Sequence, residues 1–319
     1  MIIDILLVLA GFILLVKGGD FLIDGAVAIA RRARLSAMVI GLTVVGFGTS
    51  TPELLVSAQA AWVGSSGIAI GNVVGSNIAN VALILGMTSL ICPLPSKRGM
   101  MRVDMPFMLV AMGLFVAAAW SGAIERWMGM CMVAMLIGFV SWEVWKSRKE
   151  NAGAEEIDKK EPMALWKALL LVAVSIGGMI WGSDLLVQGA SGIAMRLGEM
   201  FGVEAEQMER IIGLTVVAVG TSLPELFASV MAARKGETDM AVGNIIGSIT
   251  FNILCVIGVS SAITPIRNAW SGFALDYGIM AFLGLILWFF LWTKNKLERW
   301  EGAVLLTIYI AFLGKTFWR

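Results

Sequence analysis

Apolar residues come in ten long runs, near 2–30, 37–63, 67–92, 104–120, 124–146, 164–194, 209–233, 239–264, 272–293 and 301–317. At 1.5 Å per residue, runs of this length cross a hydrocarbon core of about 30 Å as helices. The pattern predicts an all-α membrane protein of ten transmembrane helices. The one sizeable polar stretch, Lys146–Glu161 (KSRKENAGAEEIDKKE), is highly charged and lacks aromatics, so it reads as a flexible linker.

The pattern repeats. Gly18–Ala26 (GGDFLIDGA) matches Gly182–Ala190 (GSDLLVQGA), and Gly41–Ser57 (GLTVVGFGTSTPELLVS) matches Gly213–Ser229 (GLTVVAVGTSLPELFAS). Ala69–Asn80 (AIGNVVGSNIAN) matches Ala241–Asn252 (AVGNIIGSITFN), with an insertion around Glu199–Gln207 absorbing a change of register. The chain therefore divides into a first five-helix repeat, 1–146, a linker, 147–163, and a second five-helix repeat, 164–319. An odd number of spans per repeat makes the second enter the membrane from the opposite side, an inverted-topology pair. Loop charge supports this: sixteen Lys and Arg fall in one alternate set of loops and six in the other loops and termini. By the positive-inside rule the first set, linker included, is cytoplasmic, and both termini face outward.

Composition narrows the function. With 58% hydrophobic and 15% charged residues and a mean hydropathy of +0.85, the chain is too apolar for a soluble domain. It is expected as a multi-pass protein of the cell membrane, its surroundings the lipid bilayer. A net charge of +1 leaves no electrostatic footprint for nucleic acid. There is no histidine, and Cys92, Cys131 and Cys255 stand singly in or beside apolar runs, with no metal or disulfide spacing. The opening MIID has no basic n-region, so no cleaved signal peptide is expected.

Two glutamates, Glu53 and Glu225, sit in the middle of apolar runs. A carboxylate at that depth costs about 2.5–3.5 kcal/mol on insertion scales and is rare unless functional. In Gly46–Glu53 (GFGTSTPE) two glycines loosen the helix and Pro52 cannot continue it, but Pro52 suits the first turn of a new helix capped by Ser50 or Thr51. The segment reads as a broken helix. Carbonyls near Gly46 and Phe47 would be left unpaired, and Glu53 would gain from the positive end of the following helix. Ala218, Val219, Thr221, Ser222, Pro224 and Glu225 repeat the arrangement. Thr49, Ser50, Thr221 and Ser222 add hydroxyls. Gly71, Gly75, Gly243 and Gly247 permit close helix packing, and Ser76 with Asn80, like Ser248 with Asn252, shares a helix face. All these donors are oxygen, which suits hard cations such as Na⁺, Ca²⁺ or Mg²⁺.

GTSTPELLVS and GTSLPELFAS, each followed by a GNxxGS block, resemble the two α-repeats of the calcium/cation antiporter superfamily, most closely the sodium/calcium exchanger type. The resemblance implies a secondary active antiporter, not an enzyme, exchanging several Na⁺ for one Ca²⁺ by alternating access, with the first and sixth helices sliding across the core. It implies no cofactor beyond the transported ions and no obligatory protein partner. Carried over, Glu53 and Glu225 would be the central Ca²⁺ ligands. Thr49, Thr221, Ser50, Ser222, Ser76, Ser248 and the carbonyls of Gly46 and Ala218 would serve Ca²⁺ or flanking Na⁺ sites. Asn80 and Asn252 would sit at the centre. Potassium-dependent members and some microbial ones carry aspartate where this chain has Asn252, which argues against K⁺ dependence. The GNxxE repeat usual in proton-coupled members is absent, which favours Na⁺, with H⁺ or another cation as the alternative coupling ion and a cation channel as a more distant reading. Lys17 is expected to snorkel or to pair with Asp20, and Asp20 and Asp184 to form helix-cap or interhelix bonds.

Overall fold

The first apolar run folds as one helix, α1 (Ile2–Ala33), and its repeat counterpart as another, α7 (Leu165–Met200). At 32 residues α1 is about 48 Å long, so it must tilt or overhang a core of about 30 Å. The two pack along much of their length, and glycine makes the approach possible. A Cβ on Gly11 would lie 2.5 Å from the Gly182 carbonyl oxygen, and one on Gly189 the same distance from that of Asp4. Asp4 also meets Arg196 at 3.0 Å, tying the start of α1 to the end of α7.

The computed structural model describes residues 2–96, 98–150, 163–200, 218–267, 269–270 and 272–317. Between the two long helices come α2 (Ala37–Thr49) and α3 (Thr51–Trp62), bent by 49° at Ser50, then α4 (Ser66–Ile91), α5 (Gly99–Trp120) and α6 (Arg126–Glu150). After α7, a single turn at Ala218–Gly220 leads to α8 (Leu223–Arg234), α9 (Thr238–Ile263), α10 (Ala274–Lys294) and α11 (Arg299–Phe317). Seven helices are long and apolar enough to cross a membrane, and the bent pair makes eight. The other two expected spans are α11, with Arg299 and Glu301 at its start, and α8, whose upstream half lies outside the described residues. Most of the 147–163 linker and of the Glu199–Gln207 insertion lies outside them as well.

Burial is greatest at the centre. Helix α9 has almost every residue between Met240 and Ser261 buried, and α4 is the next most enclosed. Both pass through a π-helical stretch, Asn80–Leu85 in α4 and Asn252–Ile257 in α9. Such widened turns free a backbone group and are frequent at functional sites. Apolar periodicity does not distinguish a π turn from an α turn, so these two stretches were not foreseen.

Two short antiparallel strand pairs join distant parts of the chain. Strand β1 (Leu94–Pro95), after α4, pairs with β4 (Lys296–Leu297), between α10 and α11. Strand β2 (Ala123–Ile124), between α5 and α6, pairs with β3 (Ile266–Arg267), after α9. Beside β4, Glu298 accepts bonds from Lys294 (2.6 Å) and Trp300 (2.8 Å) and lies 3.0 Å from Lys296. These donors hold its carboxyl at about 2, below the usual range.

Asp20 makes an interhelix contact, one of the two kinds of bond expected of it, with Lys235 rather than with Lys17. Lys17 is exposed, whereas Lys235, in the turn after α8, donates to the Asp20 carbonyl at 2.6 Å and to Asp24 at 2.7 Å. The partner is absent from the local sequence because it comes from the other repeat. Lys235→Ala is expected to loosen this end of α1, with a modest effect on stability, about 1 kcal/mol or less for so exposed a pair. Faster amide exchange at the 30–36 turn, by mass spectrometry, checks it.

Candidate cation site

Pro52 has no N–H, so the helix cannot run unbroken through it, and the break falls at Ser50 (φ −86°, ψ 10°). Ser222 (φ −93°, ψ 5°) repeats the break before Pro224. Both serines stand at the N-cap position of the next helix, but neither side chain makes the cap bond. Each is directed to the other repeat instead. Ser50 Oγ donates to Glu225 Oε1 at 2.8 Å, and Ser222 Oγ reaches Glu53 Oε1 at 3.5 Å. The expected local cap gives way to a long-range bond because a buried carboxylate is the stronger acceptor.

The carbonyls at the break are not left bare, contrary to the sequence reading. Gly46 O accepts the Ser50 N–H at 3.1 Å and the hydroxyls of Ser248 (3.3 Å) and Thr49 (3.4 Å), and Phe47 O accepts Thr51 Oγ1 at 3.2 Å. Phe47 O keeps a second lone pair, whereas Gly46 O already meets three donors, so Ser248 or Thr49 must turn its hydroxyl away before that carbonyl can face an ion.

Glu53 and Glu225 are fully buried, each in the first turn of its helix, and each is bonded to the serine at the other's break. Their backbones are clamped alike. Asn72 Nδ2 donates to Glu53 O (3.1 Å) and Ser57 Oγ (2.8 Å), and Asn244 Nδ2 to Glu225 O (3.3 Å) and Ser229 Oγ (2.8 Å). These two asparagines and two serines were missed as candidates, although all four recur in the repeated blocks. That recurrence was the available signal.

The other expected residues distribute unevenly. Ser76 Oγ donates to Glu53 Oε1 at 3.4 Å, and Asn252 Nδ2 to Asn77 Oδ1 at 3.2 Å. Asn80 is fully buried at the start of its π turn. Thr221 lines a cavity of about 490 Å³ shared with Pro52, Gly220, Ser183, Asp184 and Trp181, between α7 and the two breaks. Ala218 opens the single turn before Gly220. Gly243 and Gly247 bring α9 against α2 as expected. Gly71 and Gly75 meet no such backbone among the described residues, and 213–217, the counterpart of that part of α2, lies outside them.

What remains unsatisfied is informative. Among the described residues, Glu53 Oε2, Glu225 Oε2, Asn252 Oδ1 and both polar atoms of Asn80 are buried without a hydrogen-bond partner. Buried polar atoms are seldom orphaned, and an uncompensated buried charge costs several kcal/mol. Four of these five atoms are oxygens, the donor set a hard cation takes. No three His, Cys, Asp or Glu side chains gather among the described residues, so an ion here would rest on two carboxylates and neutral oxygens. Asn72→Ala and Asn244→Ala are expected to weaken ion affinity by about tenfold or more while the protein stays folded, as loss of a supporting contact does at metal sites. Calorimetric Ca²⁺ titration checks this.

The family model "Sodium/calcium exchanger protein" matches residues 3–145 and 167–318. The chain is 35% identical to CaxA of Alkalimonas amylolytica, over 98% of each protein. It is 33% identical to the sodium/calcium exchanger MaX1 of Methanosarcina acetivorans, over 99% of each. The fold is similar to that of the sodium-calcium exchanger NCX_Mj soaked with 2.5 mM Na⁺ and 0.1 mM Ca²⁺, with a TM-score of 0.80 and 30% identity over 98% of each chain.

Proposed function

The chain belongs to the sodium/calcium exchanger family of integral, multi-pass membrane antiporters, and from that premise we propose that it exchanges Na⁺ for Ca²⁺ by alternating access at Glu53 and Glu225. The observation that carries the proposal is the crossed pair of serine–glutamate bonds, Ser50 to Glu225 and Ser222 to Glu53, around buried carboxylate oxygens that no group among the described residues satisfies. Two carboxylates carry a charge of −2, which one Ca²⁺ or two Na⁺ would neutralise. Moving an empty, doubly charged site past an apolar barrier is costly, and moving a neutralised one is not. Exchange follows from that difference: the switch between accesses is open to loaded sites and closed to the empty one. Ser76, Ser248, Thr49, Thr221, Asn80, Asn252 and the carbonyls of Gly46 and Ala218 would complete the oxygen shell for Ca²⁺ or the Na⁺ ions that compete with it.

The architecture proposed with it is ten helices in two inverted repeats, 1–146 and 164–319, joined by a cytoplasmic linker, 147–163, with both termini outside. The strand pairs support it: β1 and β4 exchange places with β3 and β2 when one repeat is mapped on the other. The 490 Å³ cavity along α7 would be an ion route from the outer side, and α1 and α7 the elements that slide.

In proteoliposomes loaded with Na⁺ and diluted into Na⁺-free buffer, ⁴⁵Ca²⁺ uptake is expected, unchanged by K⁺ because Asn252 supplies no third carboxylate. Uptake driven by a pH gradient without Na⁺ would instead establish the proton-coupled alternative, and flux without any counter-ion a channel.

A further inference from the structure

Helix α10 carries Gly284, Trp288 and Trp292 at four-residue spacing, one face along which side-chain bulk rises. At Gly284 it touches α5: a Cβ there would lie 2.9 Å from the Met112 sulfur and 3.0 Å from Leu109 Cδ2. Beyond that contact the indoles hold the two helices apart. A cavity of about 510 Å³ opens between them, lined among the described residues by Met101, Arg102, Pro106, Trp288, Trp292 and Asn295. Its volume falls within the range of about 300–1,000 Å³ usual for small-molecule sites. The two indoles stack at 5.8 Å, and Trp288 Nε1 donates to the Met101 carbonyl at 3.4 Å, bracing the inner wall.

The wall is divided by chemistry. Met101, Pro106 and the indole faces are apolar. Arg102 and Asn295 are polar and exposed, and neither side chain has a hydrogen bond or ion pair among the described residues. No carboxylate among those residues lines the cavity. Of the acids close in sequence, Asp104 meets Glu143, and Glu298 meets both Lys294 and Lys296. Two ammoniums for one carboxylate leave positive charge in excess on either side of Asn295. An anion suits that end of the cavity. A free anion would gain nothing from the other end, where Trp292 is 67% exposed and stands at the head of an apolar face that continues through Phe289 and Leu285, both exposed. Tryptophan at the end of a span, with apolar residues below it, is the pattern that the membrane interface selects.

We propose that this cavity binds one anionic phospholipid, its phosphate on the Arg102 guanidinium and the Asn295 amide and its acyl chains along Trp292 and Phe289 toward the hydrocarbon. The planar fork of arginine matches two phosphate oxygens at once, and the indole ring suits the boundary between headgroup and chain. The lipid would brace one of the two proposed repeats against the other, since α5 belongs to the first and α10 to the second. Asn295 already joins them through its backbone, its carbonyl accepting the Ser96 N–H at 2.7 Å beside β1 and β4. The site shares no residue with the Glu53–Glu225 pair and requires only that α5 and α10 span the membrane.

The test uses full-length protein in detergent, with dioleoylphosphatidylglycerol or dioleoylphosphatidylcholine added singly. Native mass spectrometry counts the lipids retained, and a melting curve is read in parallel. One phosphatidylglycerol is expected to remain bound at concentrations where phosphatidylcholine does not, and to raise the melting temperature. Arg102→Gln is expected to weaken it about tenfold or more, the size of a lost charge-assisted hydrogen bond. Asn295→Gly, which keeps the left-handed turn (φ 53°) and removes the amide, is expected to weaken it less. Arg126→Gln, at the start of α6, is the control for loss of charge and should change nothing. Equal retention of both lipids, or phosphatidylglycerol binding indifferent to Arg102→Gln and Asn295→Gly, would overturn the proposal. Glycerol 3-phosphate competing as well as the lipid would overturn it too, in favour of a soluble anion. Lipid is the readout throughout, so failure of Na⁺/Ca²⁺ exchange would leave this result standing, and the reverse.

Discussion

Glu53→Gln or Glu225→Gln is expected to reduce Na⁺-gradient-driven Ca²⁺ uptake at least about a hundredfold, equivalent to about 2.7 kcal/mol of ion binding. Glutamine keeps the size of the side chain and an oxygen for Ser222 or Ser50 to bond, so the substitution isolates the charge. With one carboxylate left, bound Ca²⁺ would carry an uncompensated positive charge into a buried site, where charges are screened far less than in water. Stability should move the other way. Neutralising one of two mutually repelling carboxylates leaves the ion-free protein at least as heat-resistant as the unsubstituted one, while stabilisation by added Ca²⁺ disappears. A melting curve with and without Ca²⁺ therefore separates lost binding from lost folding. The serines grade the effect: Ser50→Ala removes a 2.8 Å bond to Glu225 and is expected to cost more than Ser222→Ala, which removes a 3.5 Å one. Unimpaired uptake in both glutamine variants would sink the assignment of the site.

Gly247→Leu is expected to prevent accumulation of folded protein. A Cβ at Gly247 would lie 2.2 Å from the Leu42 carbonyl oxygen and 2.6 Å from its Cα, so the obstruction is backbone and no rotamer relieves it. Gly243 faces α2 in the same way, 2.6 Å from the Met38 carbonyl oxygen. Forcing α9 off α2 would also displace Ser248 from Gly46 and Asn244 from Thr49, contacts made on the same helix face. The cost belongs among the large values, above about 4 kcal/mol, reserved for core overpacking with broken polar contacts. Gly138→Ala is the matched control: nothing among the described residues lies within 4 Å of a Cβ there. It should be neutral, or stabilising by up to about 1 kcal/mol through helix propensity. Size-exclusion profiles of detergent-extracted protein report both outcomes.

Much of this fold was legible because bilayers enforce it. The runs at 2–30 and 164–194 appear as Ile2–Ala33 and Leu165–Met200, extended past the apolar stretch because amphipathic ends continue a helix into the interface. The break at Ser50 was legible from Pro52, a local effect. Destinations of side chains were not. Ser50 looked like a cap because capping is judged within a few residues, whereas Glu225, its partner, lies 175 residues along. That Asp20 makes an interhelix bond was expected, but its partner, Lys235, lies too far along the chain to be picked out over nearby Lys17. The asparagine clamps were written in the repeat, but a polar residue beside a glycine in a membrane helix looks first like packing. The π turns at Asn80 and Asn252 left no trace, since one widened turn shifts apolar phase by less than natural variation in the pattern.

The strand pairs set a schedule for synthesis. Leu94 leaves the ribosome long before its mate, Leu297, which follows it only after helices α5 to α10. Until then β1 is an open edge at the membrane surface, and β2 waits in turn for Ile266. A chain halted before residue 296 would carry its first helices in place and still present an unmatched edge. Closure of the two strand pairs therefore waits on the second half of the chain, and the first half cannot satisfy these edges by itself.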